Sequence, residues 1–107
     1  MENISEIVKQ ITIDELKKYD IEVKGFYLFG SRAKGTYNED SDWDFFVVID
    51  KDLSFQKKWD IIDRIKIILA QLKIPNDIIM KSEKEIQESK DDVGRITYYI
   101  LKEGVSI

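Results

Sequence analysis

Residues 25–49 read GFYLFGSRAKGTYNEDSDWDFFVVI. Two apolar runs bracket a polar stretch. The first, Gly25 to Phe29, is short and aromatic and ends at Gly30-Ser31, so it reads as a buried strand that stops at a turn. The second, Trp43 to Ile49, is rich in aromatic and β-branched residues and reads as another strand. Between them Arg32 to Gly35 can form one helical turn with Ser31 as its N-cap, and Tyr37 to Ser41 reads as a polar loop.

On the N-terminal side, Asn3 to Tyr19 carries Ile4, Ile7, Val8 and Ile11 at helical spacing. Thr12 with Glu15 three residues on has the form of a capping box, which would divide this stretch into two short helices. On the C-terminal side, Ser54 to Leu72 repeats Phe55, Trp59, Ile62, Ile65, Leu69 and Leu72 every three or four residues, the pattern of an amphipathic helix with Trp59 in the core. Pro75 ends it. Asp77 to Met80 reads as a third strand and Ser82 to Glu88 as a short helix. Asp91 to Lys102 reads as a further helix, with Val93, Ile96, Tyr99 and Ile100 on one face and Gly104 at its end. Val105 to Ile107 can add an edge strand. Helices interleaved with strands predict an α/β or α+β fold, a sheet with helices packed on it.

The chain's 107 residues predict a single domain over 1–107, too short for a catalytic domain and a separate acceptor domain. Apolar residues make up 43%, enough for a packed core. There is no cysteine and no histidine, which excludes disulfides, thiolate metal sites and imidazole chemistry. A metal site must then be built from oxygen donors, which favours Mg²⁺, Mn²⁺ or Ca²⁺. With 17 Lys and Arg against 21 Asp and Glu, the balance speaks against direct binding of long nucleic acid. No apolar run is long enough for a signal peptide or a membrane span, so the expected compartment is the cytoplasm.

Three features carry possible chemistry. Asp42 and Asp44 stand two apart at the mouth of a strand, so both carboxylates point to one face, roughly 7 Å apart at the backbone. They can converge on one cation, or they can be two solvated acids. Asp77 opens the third predicted strand, as a third oxygen ligand or as a turn residue after Pro75-Asn76. Gly30-Ser31 opens a helical turn, where free N–H groups favour phosphate, with Arg32 and Lys34 beside it. The alternative there is an ordinary cap with two exposed basic residues. Glu39 and Asp40 add charge ahead of the acid pair, for a partner or for solvation. Tyr98 and Tyr99 fit core or rim positions better than modification sites.

The combination is more specific than its parts. Gly30-Ser31, ten residues, then Asp42-Trp43-Asp44, then Asp77 after one helix resembles the polymerase-β-like nucleotidyltransferases. Phe29 to Gly35 and Ser41 to Val48 are similar to the minimal nucleotidyltransferase branch, and Asp92 to Ile96 with Leu101 to Val105 resembles its closing helix and strand. The resemblance runs from about Ile21 to the end.

That resemblance implies the polymerase-β-like fold, a small mixed sheet with helices on it. It implies two Mg²⁺ ions with ATP as substrate. Asp42 and Asp44 would ligate both ions, Asp77 would ligate the catalytic ion and help deprotonate the acceptor hydroxyl, and Gly30 and Ser31 would hold the β- and γ-phosphates. The minimal branch resembles the antitoxin half of a toxin–antitoxin module, paired with a helical HEPN ribonuclease on whose tyrosine it places AMP. Two other functions stay open: a silent antitoxin that acts by binding alone, and a small-molecule or tRNA-end nucleotidyltransferase working with a separate subunit.

Overall fold

The long apolar runs pair with one another, because each carries backbone groups that can be satisfied only by a neighbouring strand. The computed structural model describes residues 3–89 and 96–107. In chain order it places α1 (Ile4–Lys17), β1 (Val23–Phe29), α2 (Ser31–Lys34), β2 (Trp43–Ile49), α3 (Phe55–Gln71), β3 (Asn76–Ser82), α4 (Glu83–Ser89), α5 (Ile96–Glu103) and β4 (Val105–Ser106). The strands form a mixed sheet in the order β3-β2-β1-β4. β1 runs antiparallel to β2 and to β4, whereas β2 and β3, joined through α3, are parallel.

Strand alternation then distributes the side chains. Phe26, Leu28, Phe45, Val47, Ile49, Ile78 and Met80 face α1 and α3 and form the larger core with Val8, Leu16, Ile62, Ile65 and Leu69. Phe46 and Val48 face the other way and pack with Tyr27, Phe29, Ile79, Ile86 and Ile100. β2 is therefore covered on both faces, which accounts for its nearly unbroken apolar run.

Several helix details differ from the sequence expectation. α1 is one continuous helix, capped by Asn3, whose side chain accepts from the Glu6 N–H at 3.3 Å. Thr12 does not cap: its hydroxyl donates to the Val8 carbonyl at 2.8 Å, back along the same helix. Glu15 instead turns to the salt bridges it makes with Lys18 and Arg64. A reciprocal capping box occurs elsewhere. The Glu85 N–H donates to Ser82 Oγ at 3.1 Å and the Ser82 N–H to Glu85 Oε1 at 3.0 Å, so Ser82 ends β3 and starts α4.

The helix after β2 shows a narrower buried stripe than the apolar spacing implied. Ile61, Ile62, Ile65 and Leu69 are buried, while Trp59 is 41% exposed and Phe55 76% exposed. At 3.6 residues per turn Trp59 lies about 100° from the centre of that stripe, and Phe55 and Leu72 fall at the two helix ends. In α5, Ile100 and Thr97 are buried and Tyr99 is exposed, so Tyr99 does not share the face of Ile100. The expected face residue Val93 and the predicted helix start at Asp91 lie outside the described residues. Among the described residues no helix is long and apolar enough to cross a membrane.

Glu15 is a buried acid, 4% exposed, between α1 and α3. Its carboxylate pairs with Lys18 and lies 3.5 Å from Arg64 Nε. The hydrogen bond from Lys18 outweighs desolvation and, with Arg64, holds this carboxyl below its usual range. A depressed folded pKa stabilises above the unfolded value of 4.5 and is lost as pH falls through the folded value. Glu15→Gln should therefore cost about 1–2 kcal/mol at neutral pH. Urea unfolding should show the gap to wild type closing as the pH is lowered below that range.

Candidate active site

Cross-strand register brings the sequence-predicted acids together. Phe29 on β1 pairs with Asp44 on β2, and Asp44 pairs with Asp77 on β3, so the three form one row across the sheet. Trp43 packs against the larger core, which leaves Asp42 and Asp44 on the opposite side, the face shared by Phe46 and Val48. Asp77 alternates with the inward-facing Ile78 and lies on that same face. The Trp43 N–H donates to the Pro75 carbonyl at 2.9 Å, which ties the entrance of β2 to the entrance of β3.

Asp44 is the middle member and is half-buried. Its carboxyl is pushed up from the ordinary value, first by burial and then by the negative charges of Asp77 and Asp42. Asp42 is exposed and makes no hydrogen bond or ion pair to a described residue. Asp77 is 61% exposed, with Lys66 Nζ at 3.8 Å.

Gly30 closes the site from the β1 side. It has φ +74° and ψ −158°, a conformation open to glycine and strained for any other residue. A Cβ at this position would lie 2.2 Å from Asp44 Oδ2. The bare backbone is thus pressed against the central carboxylate. Gly30, rather than Ser31, is the N-cap of α2, and no side chain caps that turn. The Ser31 hydroxyl makes no hydrogen bond to a described residue, and as first residues of α2 Ser31 and Arg32 leave their N–H groups without helical partners. Lys34 is exposed beside them.

Arg32 was expected among the nucleotide-binding residues; in the structure its side chain lies against the loop that follows it. Its guanidinium carbon lies 4.5 Å from the ring centroids of both Tyr37 and Trp43. Its Nε and Nη2 donate to the Ser41 carbonyl at 3.3 and 3.1 Å, and Nη2 also to the Glu39 carbonyl at 3.4 Å. Those bonds turn the charged end into the 36–42 loop.

Lys66 is a site residue that sequence spacing did not single out. From α3 its ammonium donates to the Asn76 carbonyl at 3.2 Å and to Asn76 Oδ1 at 3.3 Å, besides facing Asp77. Nothing in the spacing of a polar helix position predicts which strand it will reach.

Among the described residues no group of three acidic side chains already stands arranged to hold a metal ion. The donor types nevertheless suit a hard divalent cation: Asp44 and Asp77 lie in register with Asp42 two residues before Asp44, the Asp44 carboxyl is pushed up first by burial and then by the charges of Asp77 and Asp42, and Asp42 and Asp77 are exposed.

Comparison with known proteins gives the family and the fold. Residues 9–107 match the family model described as Polymerase beta, Nucleotidyltransferase. Among solved structures, the chain is similar to a crystal structure of a toxin–antitoxin with AMP-PNP, at 20% identity and TM-score 0.57, covering 92% of this chain and 70% of that one. It is also similar to a crystal structure of a mutant of the toxin–antitoxin MntA-HpeT, at 20% identity and TM-score 0.57, covering 100% of this chain and 72% of that one. A second mutant of that complex matches at 18% identity and TM-score 0.54, over 92% of this chain and 70% of the other. At these identities the likeness is one of fold. No curated protein matches the chain.

Two outcomes follow from the Gly30–Asp44 contact and the acid row. Gly30→Ala must move the turn or the carboxylate and should cost about 1–3 kcal/mol, read by urea unfolding. Asp44→Asn should stabilise the protein in the absence of divalent cations by about 0.2–1 kcal/mol, because a charge opposite a like charge is removed. A raised folded pKa means that the ionised form carries the penalty. The advantage of the asparagine variant should accordingly shrink as pH falls through that raised value, toward the unfolded 3.8.

Proposed function

The chain belongs to the polymerase beta nucleotidyltransferase family, and from that footing we propose that it is a Mg²⁺-dependent enzyme that moves AMP from ATP to a hydroxyl of a partner protein. The acceptor we propose is a tyrosine of a HEPN-type ribonuclease toxin, which makes the chain an antitoxin that acts by adenylylation. The observation that carries this reading is the register that sets Asp44 opposite Asp77, with Asp42 two residues away and the Gly30 backbone against Asp44. The Asp44 carboxyl, pushed up first by burial and then by the charges of Asp77 and Asp42, would be relieved by a bound cation. The partner and the nucleotide draw support from the fold relatives, which are toxin–antitoxin structures, one of them with AMP-PNP.

In this reading Asp42 and Asp44 would hold both Mg²⁺ ions, and Asp77 would help to hold the catalytic one. When bound, Mg²⁺ offsets the charge that develops on the attacking and leaving oxygens. The N–H groups and hydroxyl at Gly30-Ser31 hold the β- and γ-phosphates, and Lys34 adds positive charge beside them. The acceptor oxygen bonds to the α-phosphorus as the bond to pyrophosphate breaks. Asp77, whose side chain is 61% exposed, takes the hydroxyl proton. In this reading the partner protein supplies the acceptor hydroxyl. The cytoplasm, where ATP is available, is the compartment the reading requires.

The test is an intact-mass measurement on the protein encoded beside this chain's gene, after incubation with the chain, ATP and Mg²⁺. The expected result is a gain of AMP on the partner that is lost on chelating the metal and falls at least about 100-fold in rate with Asp42→Asn. Full inhibition of the partner with no mass change would replace adenylylation by neutralisation through binding. Transfer to a small molecule or an RNA end, with an unmodified partner, would reassign the acceptor.

A further inference from the structure

The loop that delivers Asp42 to the site has little to hold it. Residues 35–40 are all exposed, and no side chain there enters the core. Short bonds shape the loop locally: the Asn38 N–H to Ser41 Oγ at 3.0 Å, the Asp40 N–H to Asn38 Oδ1 at 2.8 Å, and the Ser41 N–H to the Asn38 carbonyl at 3.1 Å. None of these ties the loop to the rest of the protein. The Thr36 N–H anchors its first residue to the Ser31 carbonyl at 3.1 Å, and Arg32 holds the residues beyond. We infer that Arg32 is a positioning residue that clamps residues 36–42 so that Asp42 stays beside Asp44.

The chemistry of the side chain suits that role. A guanidinium is flat, so its faces stack on aromatic rings while its edge donates hydrogen bonds in the plane. Arg32 meets Tyr37 near the start of the loop, the Glu39 and Ser41 carbonyls further along, and Trp43 just past its end. Trp43 in turn stacks on Phe45 at 6.4 Å with an interplanar angle of 6° and packs on the larger core. Asp42 is thereby flanked by two clamped residues, Ser41 and Trp43. Arg32 itself sits one residue after Ser31, on the turn that begins at Gly30. One side chain therefore couples the proposed phosphate turn to the acid-bearing loop. A lysine at this position would keep the charge but lose both the flat face and the forked edge.

The catalytic consequence rests on the proposed nucleotidyltransferase activity, whereas the clamp itself does not. The test therefore uses Arg32→Ala, Arg32→Lys and the exposed Tyr37→Ala, with readouts of both kinds. Without nucleotide, hydrogen exchange of the 36–42 amides should speed up about tenfold or more in all three variants, and Mn²⁺ affinity, read by electron paramagnetic resonance, should weaken about 10–100-fold. In AMP transfer, kcat should fall about 10–100-fold with KM for ATP within about threefold, because the acid is displaced and not the nucleotide contact. Combining Arg32→Ala with Tyr37→Ala should cost no more than Arg32→Ala alone. The clamp is overturned if Arg32→Lys behaves as wild type, or if Arg32→Ala raises KM for ATP tenfold or more while loop exchange is unchanged. Either result would make Arg32 a direct phosphate contact. If wild type transfers no AMP, the functional proposal fails, and loop exchange and Mn²⁺ affinity still decide the clamp.

Discussion

The contact between the Gly30 backbone and the Asp44 carboxylate constrains everything around it. A side chain at position 30 would overlap Asp44 Oδ2, and the backbone there adopts a conformation suited to glycine. The close approach is possible because β1 and β2 are neighbours in a register that sets Phe29 opposite Asp44. It also means that a group bound at the Gly30-Ser31 turn meets the acids directly, with no side chain between them. The turn and the acid pair are thus one unit, and the strands above them serve to hold that unit in line.

The acids are held against their own repulsion by the two cores. β2 is clasped on one face by Phe45 and Val47 against α1 and α3, and on the other by Phe46 and Val48 against Ile100 and Ile86. Burying a side chain of that size contributes about 1.5–3 kcal/mol, so the two cores far exceed the fraction of a kcal/mol lost to a pair of like charges. The fold can tolerate a destabilised Asp44 because β2 is its best-buried strand. The destabilisation is what gives a divalent cation something to relieve.

Local patterns predicted elements well and partners poorly. The capping form Thr12-x-x-Glu15 and the form Ser82-x-x-Glu85 are equivalent on paper. Only the second is realised, because Thr12 lies in mid-helix, bonded to Val8, while Ser82 stands where a strand ends. Trp59 matched the helical repeat and yet lies at the margin of the buried stripe. Arg32 matched the position of a phosphate ligand, yet its nearest acceptors are carbonyls of its own loop. In each case the tertiary arrangement set surroundings that the local pattern does not encode.

The sequence alone determined the strands of the sheet, the break at Pro75, the absence of imidazole and thiolate, and the grouping of Gly30, Ser31, Asp42, Asp44 and Asp77 as one candidate site. The first three follow from periodicity and residue chemistry, which are properties of the chain itself, and the grouping is what the resemblance to the nucleotidyltransferases implies. The tertiary structure decided that Asp77 lies in register with Asp44, that burial and the neighbouring acids push the Asp44 carboxyl up, that Lys66 lies beside Asp77, and that the Arg32 side chain bonds carbonyls of the following loop. These depend on which strand lies beside which and on where a helix side chain lands. Residues far apart in sequence become neighbours only through the packing of the whole chain, and no local spacing encodes that.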